Sequence, residues 1–155
     1  MSQIPNHIKV QHAYQTLLLP YARHFQFAVT LTLKQKAKIS TTVNDYGDEK
    51  FERWVSLDDA TINSTAQRFY ARLTHYLYGN KSKHKNKQHW AKPLLIMATE
   101  GRNSSKRVHF HAVLGNVPSE YLHCIDVIVK RAWSECDFAY REVLVKPVVN
   151  AAGWA

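Results

Sequence analysis

Long apolar runs are missing from this 155-residue chain: no segment approaches the roughly 18 apolar residues of a membrane-spanning helix, and none has the make-up of a signal peptide. A cytoplasmic protein without a membrane partner is therefore expected. Cysteine is nearly absent. Cys124 and Cys136 fall in one helical pattern, about 18 Å apart along an unbroken helix and too far for a disulfide, so both are expected as core thiols. Acidic side chains are in deficit, 12 against 21 Lys and Arg, which leaves a net charge of +9. Such a field attracts polyanions. None of the nine histidines is followed two positions later by Ser or Thr, which argues strongly against a two-histidine phosphoesterase.

What the chain does have is enough apolar content, 45% of its residues, to bury one core in a single domain over residues 1–155. Residues 1–24 contain a short apolar stretch, 14–21, with Pro20 inside it and no clear periodicity. From Phe25 to Leu33 the pattern alternates: Phe25, Phe27, Val29, Leu31 and Leu33 take one face, Ala28, Thr30 and Thr32 the other, as in a half-buried strand. Residues 34–56 are polar around the turn signal Asn44-Asp45-Tyr46-Gly47 and suit an inserted hairpin. Apolar residues then recur at Ile62, Ala66, Phe69, Leu73 and Tyr76, which predicts a helix over 57–78 with Ser56-x-x-Asp59 capping its start and Gly79-Asn80 ending it. A second helix is predicted over 119–136, with Leu122, Ile125, Val129, Ala132 and Cys136 on its buried stripe, and a strand over 138–145. The resulting β-α-β-β-α-β order is that of an α+β domain, a ferredoxin-like or RRM-like antiparallel sheet with both helices on one face.

The chemistry concentrates in the run from Arg107 to Gly115. Alternate residues of a strand face the same way, so His109 and His111 point together while Val108, Phe110, Ala112 and Leu114 turn to the helices. Glu100 ends the apolar run 94–99, and the intervening Gly-Arg-Asn-Ser-Ser-Lys reads as a hairpin turn. If Glu100 pairs near Arg107 or His109, its carboxylate shares the histidine face; a one-residue change of register puts it on the other. Two imidazole nitrogens and one carboxylate, with coordination positions left open, suit Mn²⁺ or Mg²⁺ better than a closed zinc site. Standing alone, a His-x-His pair on a strand is more often a surface or half-buried pair. The carboxylate, the basic turn and the strand context favour a metal site here.

The stretch resembles the HUH endonucleases, the superfamily of rolling-circle replication initiators, relaxases and single-strand transposases named for the His-hydrophobic-His strand. Phe27-Ala-Val-Thr30-Leu-Thr32-Leu33 looks like that family's first motif, and its distance from the histidine strand is closer to that of replication initiators than of small transposases. The resemblance runs from about residue 25 to the end. It implies a metal site of Glu100, His109 and His111 opposite the helices, and nicking and joining of single-stranded or hairpin origin DNA through a 5′-phosphotyrosine link. One departure stands out. The family's tyrosine lies on a helix after the last core strands, often with a lysine three or four residues on, whereas Tyr140 falls in a strand pattern, Tyr121 near a helix start, and Tyr78-Gly-Asn-Lys81 before the histidine strand. Residues 150–155 read like the lead-in to such a helix. The expectation is a nucleophile beyond Ala155 in a longer protein, with a helicase or other domain possible after it, and a chain that by itself binds metal and DNA without nicking.

Several cations suit a DNA contact. Lys81, Lys83, Lys85 and Lys87 alternate with small polar residues ahead of Trp90, and a phosphate-binding loop and a solvated connector are equally good readings. Arg102, Lys106 and Arg107 have the stronger claim because they flank the proposed metal site. Thr30 and Thr32 would lie on the open face and could bond a phosphate or support a ligand, although threonine favours strands in any case. Trp90, Trp133 and Trp154 could stack on bases, with Trp133 better read as core. A hydrolase making its own metal hydroxide would show more carboxylates near the site. The serious rival is a non-catalytic nucleic-acid-binding domain on the same sheet, in which the histidines are incidental.

Overall fold

The alternation of Phe25–Leu33 does form a strand, and it becomes the second-from-edge strand of the sheet on which everything else is hung. The computed structural model describes residues 16–43 and 49–148. The turn at 44–47, most of the apolar stretch near the N-terminus, and the 150–155 segment with Trp154 lie outside the described residues. In chain order the elements are β1 (Phe25–Leu33), β2 (Lys36–Val43), β3 (Glu49–Ser56), α1 (Asp59–Tyr78), β4 (Leu94–Glu100), β5 (His109–Gly115), α2 (Ile125–Ser134) and β6 (Ala139–Pro147), with 3-10 helices at Leu19–His24, Gly79–Lys83 and Ser119–Cys124.

Four strands make one antiparallel sheet in the order β4-β5-β1-β6, and β2 and β3 pair separately as a hairpin. The chain is thus α+β, and the interleaved β1-α1-β4 and β5-α2-β6 crossovers are compatible with a ferredoxin-like fold. Both helices cover one sheet face. Phe69 of α1 meets Trp133 of α2 edge-on at 5.7 Å between ring centres, and Phe110 of β5 meets the same indole at 6.1 Å. These rings, with Val29, Leu31, Leu33, Leu73, Leu114 and Val129, are almost wholly buried. Trp133 keeps its one polar atom satisfied by donating from Nε1 to the Tyr140 carbonyl at 3.0 Å. The indole is core, as its place in the helical pattern implied.

Three local expectations are corrected. The cap of α1 is Asp58 rather than Ser56: the Thr61 N–H donates to Asp58 Oδ1 at 2.7 Å and the Asp58 N–H donates to Thr61 Oγ1 at 2.8 Å, a capping box one step along the chain. The Thr61 N–H also holds the Asp58 carboxyl below its ordinary range, since it bonds the charged form. The second helix is shorter than residues 119–136. Residues Ser119–Cys124 wind as a 3-10 turn after Pro118, and α2 starts only at Ile125. Cys124 therefore sits at the junction and is half-buried, while Cys136 lies beyond the helix end, buried, with its thiol pushed up to about 11 by desolvation. Both are free thiols.

Where β1 and β5 begin and end together, the backbone of His24 runs close under Gly115: a Cβ there would sit 2.1 Å from the His24 carbonyl oxygen. Gly115→Ala is expected to destabilise the domain by about 1–3 kcal/mol through forced backbone displacement. Urea denaturation reads this directly, and an unchanged midpoint would show that the strand ends yield freely.

Candidate metal centre

Strand parity places the site. In β5 the even positions, Phe110, Ala112 and Leu114, join the core, so His109 and His111 must stand on the face away from the helices. Pairing then decides what stands beside them. Glu100 is opposite His109 across β4 and β5, while Thr32 and Thr30 are opposite His109 and His111 across β1 and β5. The register that brings Glu100 onto the histidine face is the one adopted.

The β4–β5 connection depends on Gly101. Its φ of +90° is one that L side chains rarely adopt, and a Cβ would meet the Arg107 carbonyl oxygen at 2.8 Å. That same carbonyl lies 2.9 Å from Nδ1 of His109. A carbonyl only accepts, so Nδ1 carries the proton and Nε2 is left with its lone pair. Thr30 Oγ1 lies 3.4 Å from Nδ1 of His111 and, able to donate or accept, braces that ring in either tautomer.

The Nε2 atoms are 3.0 Å apart, and Glu100 Oε2 lies 2.7 Å from that of His111 and 3.4 Å from that of His109. The imidazoles meet edge to face at 4.6 Å. Three donors on three residues thus converge, in a grouping able to hold a metal ion. The donor set fits a hard divalent cation. The three spacings, 2.7, 3.0 and 3.4 Å, span both the roughly 3.0 Å between ligands at right angles on an ion with bonds of about 2.1 Å and the roughly 3.4 Å of tetrahedral bonding. Side-chain exposures of 65% for Glu100, 40% for His111 and 20% for His109 leave one side open to water or a phosphate oxygen. Glu100, His109 and His111 are brought together as a group.

The other candidates scatter. Thr30 is half-buried beside His111, and Thr32 is buried beside His109. Arg107 abuts the site through its carbonyl, and its guanidinium lies 4.2 Å over the ring of Tyr140. Lys106 is exposed in the turn. Arg102 is paired with Asp59 at the start of α1, so its charge is compensated by a carboxylate of the same surface. Lys81, Lys83, Lys85 and Lys87 are exposed but follow the far end of α1, and the chain must run the length of β4, about 20 Å, to reach Glu100. The carbonyl of Asn116, just past the other end of β5, accepts from Tyr78 there. No hydrogen bond or ring contact joins a tyrosine to Glu100, His109 or His111 among the described residues.

Two residues not expected from the sequence as binding residues stand out. Trp54 on β3 is 68% exposed, and Tyr140 on β6 carries the Arg107 guanidinium. The alternation Lys34-x-Lys36-x-Lys38 is visible in the sequence, but nothing local in it places Trp54 or Tyr140 beside those lysines.

No protein-family model, curated protein or solved structure matches the chain. No described helix is long and apolar enough to cross a membrane.

Thr30 acts on the site through His111. Thr30→Val is expected to weaken Mn²⁺ binding about tenfold by releasing the ring, with little change in thermal stability. Calorimetric titration checks it; undiminished affinity would show that the strand alone holds the imidazole.

Proposed function

We propose that this domain is a metal-dependent DNA strand-transfer module of the HUH type, acting in the cytoplasm on single-stranded or hairpin origin DNA to start rolling-circle replication. The observation that carries the reading is the convergence of one carboxylate and two Nε2 atoms on the helix-free sheet face. Glu100, His109 and His111 would hold Mn²⁺ or Mg²⁺. When bound, that ion supplies Lewis acidity at a non-bridging phosphate oxygen.

The chain's own residues do the rest by position. His109 and His111 offer neutral nitrogens and Glu100 a single negative charge, so the site keeps a positive balance once loaded and accepts an anion. Lys106 and Arg107, in the turn that leads into β5, add cations where the strand would pass. Thr30 supports His111 from β1. In the transfer step a tyrosine hydroxyl attacks the phosphorus and the P–O3′ bond breaks. The tyrosine keeps the 5′-phosphate, and its proton passes to the departing 3′-oxygen, which leaves as a hydroxyl. That tyrosine would come from outside the described residues.

Because the triad and the phosphate share one ion, Mn²⁺ is expected to raise affinity for a single-stranded oligonucleotide about tenfold or more in the wild type and not in His109→Ala or His111→Ala. Fluorescence anisotropy with and without EDTA measures it. Equal affinity in all samples would favour a sheet that binds nucleic acid with incidental histidines.

A further inference from the structure

The β2–β3 hairpin is firmly seated yet presents an apolar, cationic outer surface that the metal site does not use. Its base is clamped by backbone bonds from the Lys34 N–H to the Phe138 carbonyl and from the Leu57 N–H to the Gln35 carbonyl, both 2.8 Å. Ala37 is buried, and Ile39 and Val55 pack against the core. Alternation then forces Lys36, Lys38 and Trp54 to the opposite face, with Lys38 directly across from Trp54.

That face forms one wall of a cleft of about 760 Å³, whose other wall carries Arg107 and Tyr140. The cleft holds four cations, Lys34, Lys36, Lys38 and Arg107, against two acids, Glu135 and Asp137. Glu135 is already engaged by Arg72 at 2.9 Å and by the Tyr76 hydroxyl. Lys38 pairs with Glu52 on the hairpin itself and Lys34 reaches only the Asp137 backbone carbonyl, so among the described residues Lys34, Lys36 and Arg107 are the cleft cations with no carboxylate partner.

We infer that this cleft is a binding groove for single-stranded nucleic acid, in which a base stacks on Trp54 and the phosphates run along the lysines towards Arg107. An exposed indole is costly to leave in water and has a face that any base can cover. Alternate strand residues repeat about every 6.7 Å, which suits successive phosphates of an extended strand. A cleft of this size accepts about one or two nucleotides. Arg107 belongs to both features: its carbonyl orients His109 while its guanidinium floors the cleft. A strand leaving the metal centre would enter the groove there. The inference deepens the strand-transfer reading by naming the surface that holds the strand flanking the reacting phosphate.

The test separates the two. Binding of a short oligothymidylate is measured by anisotropy in EDTA, so that the metal site is silent, for wild type, Trp54→Ala, Trp54→Phe and Lys36→Ala, with circular dichroism confirming each fold. Trp54→Ala is expected to bind about tenfold more weakly and Trp54→Phe to retain most of the affinity. Lys36→Ala is expected to lower the salt slope by about one ion. Wild-type affinity in both Trp54→Ala and Lys36→Ala, or equal competition by duplex DNA or by an acidic peptide, would overturn the groove. A groove that fails in this way leaves the Mn²⁺-dependent affinity of the triad to be judged on its own experiment.

Discussion

The register of β5 between β4 and β1 is the constraint on which the rest depends. With Glu100 opposite His109 and Thr30 opposite His111, the carboxylate, both imidazoles and the supporting hydroxyl share one face. A slip of one residue would turn both histidines into the helices and Phe110 out to water. The core forbids that slip. Phe110 lies against Trp133, and Ala112 and Leu114 are buried in the same layer, so the apolar pattern that folds the sheet also aims the donors. Gly101 and Gly115 close the two ends of this strand pair at approaches that no side chain would permit.

A division of labour along the sheet follows from topology. The triad, Arg107 and the start of α1 lie where β4 ends and β5 begins, and the hairpin cleft opens beside them because Arg107 serves both. The opposite end holds the 3-10 turn and the lysine-rich connector, knit by local backbone bonds such as those from the Lys87 and Gln88 N–H groups to the His84 carbonyl. That ordering, together with its distance from Glu100, makes a solvated connector the better account of Lys81 to Lys87 than a loop that reaches the triad. The net charge of +9 is therefore spread around the domain, and only part of it faces the proposed nucleic-acid path.

Much of the fold was legible because it is written in periodicity. The alternation of β1, the three-and-four spacing of α1 and the His-x-His parity each fix a buried face, and burial is what tertiary structure enforces. The Glu100 pairing was legible only as a condition, since a hairpin turn of eight residues permits more than one register. End points were less accessible. Asp58 and Thr61 form the same type of box as the one expected from Ser56, and only backbone geometry distinguishes them. The 3-10 turn after Pro118 interrupts a stripe that reads as continuous helix. The cleft was hidden for a different reason: Trp54 and Tyr140 are 86 positions apart, and nothing local in either strand says that a hairpin folds back to make them neighbours across a groove.

Calorimetric titration of Mn²⁺ into the wild type and into Glu100→Ala, His109→Ala and His111→Ala tests the central claim most directly, because it needs neither a DNA target nor a nucleophile. The account predicts one site per chain in the wild type and its loss in each variant, with folding retained. Absence of binding in the wild type, or equal binding in all four proteins, would contradict it.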